Sequence, residues 1–137
     1  MNEPKWIRLE LAFIAHEKQL SRHGGISGVR DRGLLESAMM RPQNIFAYTS
    51  AAADLAALAA SYANGVIRNH PFLDGNKRTG WAVARTFLLI NGWSINATQD
   101  EKADVVLQLA ATKISEEEFA DWLRQRLIRK DSQASNE

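Results

Sequence analysis

Apolar residues recur at the i, i+3, i+4 spacing of helices along almost the whole chain, while strand-like alternation is nearly absent, so the pattern predicts an all-α fold. A first helix is expected over about Glu10 to Arg22, with Leu11, Ile14 and Ala15 on its buried face. The Gly24-Gly25 pair supplies the left-handed backbone that closes it. Asp31 reads as the N-cap of a short second helix that buries Leu34, Leu35, Ala38 and Met39. Pro42 blocks its continuation, which leaves RPQNIFAY as a loop. Ser50 opens a long third helix, rich enough in alanine for neighbours to approach closely, and His70-Pro71 ends it because a proline ring disfavours helical backbone in the residue before it.

The segment NKRTGWAVARTFLLINGW restarts a helix from Asn76, apolar nearly all round in its second half and closed at Asn91-Gly92. Thr98 with Glu101 and Ser115 with Glu118 form two capping boxes, each opening a further helix. The expectation is a compact single-domain bundle of about six helices over residues 1–130, with a loop between its two central helices and a polar, frayed tail at 131–137.

Composition narrows the function. The chain has 137 residues, 45% of them hydrophobic, which suits one domain with its own core. A net charge of +1 gives no global pull toward nucleic acid or anionic membrane, so any affinity for phosphate must be local. No cysteine occurs, no apolar run approaches the ~20 residues of a membrane span, and the start MNEPKWIRLE lacks a secretory layout, which together read as cytoplasmic.

The local exception is HPFLDGNKRTG, residues 70–80. Gly75, Asn76 and Lys77 fall at a helix start, where unpartnered amides and the peptide dipoles attract anions. Gly75 lets a ligand approach the backbone, Asn76 offers an amide, and Lys77 and Arg78 bring two cations suited to a phosphate chain. Asp74 fits among cations if it holds Mg2+ against phosphate oxygens, since that ion binds through few carboxylates plus substrate phosphates. His70 is the side chain suited to take a proton from an attacking hydroxyl near neutral pH.

HPFLDGNKR resembles the signature loop of the Fic/Doc superfamily, His-Pro-Phe-x-Asp/Glu-Gly-Asn-x-Arg, at every fixed position, and GGISGVRDRGLLESAMMRPQN is similar to the upstream segment of its death-on-curing (Doc) toxin branch. The resemblance implies Mg2+-dependent transfer from ATP or another nucleoside triphosphate to a protein hydroxyl. In it, His70 is the base, Asp74 the metal ligand, and Asn76 and Arg78 the phosphate holders, with Phe72 turned into the core. Lys77 stands where AMP-transferring relatives carry glycine and matches the toxin branch, whose members resemble kinases of a translation elongation factor; Pro71 and Gly75 match the AMP-transferring branch. A long cation at 77 favours a reversed nucleotide that presents its γ-phosphorus, and so phosphate transfer to Ser or Thr over adenylylation. A toxin-like enzyme of this type implies a cognate antitoxin. The self-inhibitory Ser/Thr-x-x-x-Glu-Gly/Asn element of some relatives is approached only at Thr112 to Glu117, where Glu117 replaces Gly or Asn, so inhibition is expected from outside.

Other readings stay open. A metal-independent ribonuclease toxin would use His70, Lys77 and Arg78 but leaves Asp74 and Gly75 without a task; a pure interaction module would use the loop only to cap helices. Arg68 either reaches the site as an accessory or answers the helix dipole, and Arg30 and Asp31 read as surface pairing and capping. Arg124, Arg126, Arg129 and Lys130 follow Glu116–Glu118 in the charge order any helix prefers, so nucleic acid is not the expected partner. Trp6, Trp81, Trp93 and Trp122 are taken as core or edge aromatics.

Overall fold

A computed structural model of the chain describes residues 3–130; the tail 131–137 lies outside the described residues. Six helices follow in order: α1 (Leu9–His23), α2 (Arg32–Tyr48), α3 (Leu55–Asn69), α4 (Asn76–Ile90), α5 (Gln99–Ala110) and α6 (Glu116–Arg124). Two three-residue strands, β1 (Trp93–Ile95) and β2 (Leu127–Arg129), pair antiparallel with Ser94 opposite Ile128. Among the described residues this small sheet and one isolated antiparallel bridge, Val29 to Phe72, depart from an all-helical plan. The strands of the sheet are too short for alternation to register in a sequence.

Alanine-rich α3 is the hub, packed against α2, α4, α5 and α6. Its small side chains permit close approach: a Cβ on Gly65 would meet the Ala38 Cβ of α2 at 3.1 Å, and a Cβ on Gly80 of α4 would meet the Ala63 carbonyl at 3.0 Å. Around α3 the core gathers Leu35, Leu58, Tyr62, Phe72, Phe87, Leu88, Leu109, Phe119 and Leu123, all fully buried. Both capping boxes form as expected, Gly24 closes α1, and α4 ends before Gly92.

Three expectations need correction. On α1 the buried residues are Ala12 and His16, whereas Leu11 and Ile14 are 38% and 49% exposed. Counting histidine as polar turned the inferred face outward; its flat ring is here a packing surface. Next, α2 runs straight through Pro42 to Tyr48, so RPQNIFAY is helix and not loop. An interior proline costs about 3 kcal/mol; here its ring is buried, and the extension packs Ile45 and Phe46 onto the core, with Phe46 edge-on to Trp6. Finally, α3 starts at Leu55, because Ser50 and Ala51 take left-handed backbone (φ 51° and 67°) that no helix continues through, and Asp54 is the cap, accepting from Ala57 N–H at 2.9 Å.

The four tryptophans do sit half-buried at the edge of the core, Trp6 stacked on Phe87 and Trp81 edge-on to Phe119 and Trp122. The arginines near the end of the described chain are occupied structurally: Arg124 pairs with Asp54 and Asp121, Arg126 lies over Trp122, and Arg129 over Trp93. Among the described residues no helix is long and apolar enough to cross a membrane.

Candidate active site

The loop 70–75 leaves α3 and enters α4 through two left-handed residues, one at each end. His70 is the C-cap of α3 at φ 50°, ψ 54°, and Gly75 is the N-cap of α4 at φ 78°. At Gly75 the positive φ is what glycine supplies; a Cβ there would come no nearer than 3.7 Å to the His16 ring. A non-glycine residue in this region stores strain, and such strain gathers at functional sites. The His70 side chain is exposed at that bend.

Where α2, α3, α5 and α6 each have a side-chain cap, Gly75 provides none to α4. The first-turn amides of α4 therefore remain open to an anion. Lys77 and Arg78 project from that turn into solvent. Asn76 is different from the sequence-based picture: it is buried, and its side chain is committed to Phe72, accepting from Phe72 N–H at 3.0 Å and donating to Phe72 C=O at 3.0 Å. Its side-chain amide thus shapes the loop and seats the Phe72 ring in the core.

Asp74 is exposed, and each carboxylate oxygen accepts one amide, Ile26 N–H at 3.1 Å and Gly75 N–H at 2.9 Å. Those two hydrogen bonds first, then Arg78 and His16, hold its carboxyl below the ordinary carboxylate range. An ionised carboxylate has about four lone-pair sites, so two amides leave room for a cation. A hard, ionised oxygen donor beside the open amides of α4 would suit Mg2+.

Beneath the loop lies a residue that periodicity missed. His16 of α1 is buried, its ring stacked on Phe72 at 3.8 Å between centroids and 7° between planes, and its Nε2 lies 2.8 Å from the Asp74 carbonyl oxygen, which makes Nε2–H the donor. The signal that points to it is a lone histidine four residues from Ala12 on a helical stripe. Alongside the loop, residues 25–30 run antiparallel to it: Val29 bridges Phe72, and Leu73 N–H donates to Gly28 C=O at 3.0 Å. A Cβ on Gly25 (φ 126°) would fall 2.9 Å from the Asp74 carboxylate, so a side chain there would displace that carboxylate.

Asp31 caps α2 through Leu34 N–H as expected. Among the described residues Arg30 has no ion-pair partner; its guanidinium bonds the carbonyls of Asn69 and His70. Arg68, two residues before His70, donates to the carbonyls of Leu109 and Ala110 and so closes the end of α5.

The Fic/DOC family model matches residues 6–88, which contain the whole of this loop and the segment that flanks it. Two characterised relatives are similar over most of the chain. The toxin Doc of Mycolicibacterium smegmatis is 43% identical over 91 residues, 66% of this chain and 70% of that protein. The protein kinase doc of Escherichia phage P1 is 36% identical over 115 residues, 84% of this chain and 90% of that protein.

Proposed function

The chain belongs to the Fic/DOC family, and from that premise we propose that it is a Doc-like toxin that transfers the terminal phosphate of a nucleoside triphosphate, ATP in the first instance, to a Ser or Thr hydroxyl of a protein. The observation that carries the reading is the exposed His70 at one end of a loop whose other end is an uncapped helix start flanked by Lys77 and Arg78. In the proposed step the hydroxyl oxygen bonds the γ-phosphorus, the bond to the β-phosphate bridging oxygen breaks, the hydroxyl proton passes to the His70 imidazole, and the nucleoside diphosphate leaves. Gly75, the first-turn amides of α4, Lys77 and Arg78 hold the phosphates, and Asn76 keeps the loop in shape to do so. Asp74 would hold Mg2+, which would neutralise phosphate charge.

Phosphate transfer is preferred over AMP transfer because of Lys77. A charged hydrogen bond contributes about 1.5–3 kcal/mol, enough to bias the orientation of a nucleotide at least about tenfold. That relatives are named toxin Doc and protein kinase doc supports both the chemistry and a cognate antitoxin as partner. A translation elongation factor is the proposed protein substrate, and the cytoplasm the proposed place of action.

The test uses ATP labelled at the γ or the α position, Mg2+ and a candidate elongation factor. Label from the γ position is expected in the protein, absent with His70→Ala and strongly reduced with Lys77→Gly. Label transferred only from the α position would establish AMP transfer instead, the outcome that Pro71 and Gly75 anticipate.

A further inference from the structure

The carbonyls of Asn69, His70 and Pro71 lie where α3 has ended, so no further turn of helix supplies their donors. All three are met by two consecutive residues outside the loop. Arg30 Nε donates to His70 C=O at 2.7 Å and Arg30 Nη2 to Asn69 C=O at 2.8 Å. Arg30 N–H and Asp31 N–H both donate to Pro71 C=O, at 2.7 and 3.0 Å. From the same side, Asn69 Nδ2 donates to Leu34 C=O of α2 at 2.9 Å. The backbone on both sides of a strained, left-handed His70 is thereby fastened to the start of α2, and the cation sits at the negative end of the α3 dipole.

We infer that Arg30 is the positioning residue of the base: its guanidinium fork holds the backbone bend that aims the His70 imidazole. The inference rests on the reading of His70 as the base. With the imidazole exposed, the backbone bend fixes the point from which it projects and the rotamers open to it. A planar fork presents N–H groups of two different nitrogens, at fixed spacing, to two successive carbonyls, a geometry that the single nitrogen of an ammonium group does not reproduce.

Arg30→Met keeps much of the aliphatic stem and removes the fork; Arg30→Lys keeps the charge on a single donor nitrogen. With the full chain, Mg2+, ATP and the protein acceptor, Arg30→Met is expected to lower kcat roughly ten- to hundredfold while KM for ATP stays within about twofold, with partial recovery in Arg30→Lys. NMR of the His70 ring supplies a readout independent of turnover: one sharp set of ring resonances in the wild type, shifted or broadened in Arg30→Met. Unchanged kcat, or a loss of kcat and ATP affinity that merely follows a fall in Tm, would overturn the assignment. If the wild type transfers neither phosphate nor AMP, the base reading fails on its own, and the ring resonances alone decide whether Arg30 holds His70, unchanged signals in Arg30→Met refuting it.

Discussion

His16 and Asn76 do their work at the site through its floor, without facing its solvent side. His16 stacks on Phe72 and reaches the Asp74 carbonyl, and Asn76 brackets the same Phe72 from the other end of the loop. The two together fix residues 72–74, and so the place at which the Asp74 carboxylate emerges. His16→Ala removes a stacked ring and a buried donor at once. The expected result is a loss of stability on the order of 2 kcal/mol in urea unfolding, accompanied by weaker nucleotide binding at limiting Mg2+ that recovers when Mg2+ is raised. Wild-type Mg2+ dependence in the variant would mean that the floor does not control Asp74. Neither residue's task was open to inspection in the sequence. The motif announces chemistry through side chains that carry charge, and an amide that is inward-facing reads the same as one that is outward-facing until its partners are known.

At the scale of elements, local signals were legible wherever chemistry between near neighbours decides the outcome. The capping boxes at Thr98 and Ser115, the Gly24 and Gly92 ends and the break at His70-Pro71 all depend on residues within one turn. Pro42 and Ser50 misled because tertiary contacts overruled them: burial of Ile45 and Phe46 carries α2 past its proline, and Asp54 begins α3 through a cap joined to a distant partner, Arg124 of α6. The Arg124 contact first, then the Ala57 amide, lowers the Asp54 carboxyl below its usual value despite partial burial. Both members of the pair remain close to half-exposed, 43% and 49%, so the ion pair itself is worth at most about 1 kcal/mol. The cap is the larger share. Asp54→Ala should therefore cost about 1–2 kcal/mol, and Asp54→Asn, which still caps, less than about 1 kcal/mol. The contribution exists while Asp54 is ionised, above its ordinary titration range, and fades as pH falls through the lowered one; urea midpoints of both variants across that range test the division. Equal losses for Ala and Asn would reverse it.

The first and last described segments are tied back onto the bundle. Lys5 and Asn91 exchange two hydrogen bonds, Ile7 is buried, and residues 126–130 return to pair with 92–96. The chain before α1 is anchored in the core itself by Tyr62 of α3, whose hydroxyl accepts from Ile7 N–H at 3.0 Å across 55 residues of sequence. The packing that places the loop thus includes a buried phenol, and burial pushes its pKa up to about 12 against an ordinary value of 10.0. Between those two values the unfolded chain loses the tyrosine proton while the folded chain keeps it, so the folded state binds more protons and stability falls as pH rises. Two units correspond to on the order of 3 kcal/mol for this one group. Unfolding in urea should show no pH dependence from Tyr62 below about pH 10, where its contribution is fully present, then a progressive loss above it and a levelling near 12. Tyr62→Phe should begin lower, because Ile7 N–H loses its buried acceptor at a cost of about 1–3 kcal/mol. Its stability should then fall less steeply than that of the wild type in the alkaline range, with the other titrating groups common to both. Parallel alkaline curves for the two proteins would mean that Tyr62 ionises without leaving the fold, and that the contact with Ile7 is looser than its geometry states.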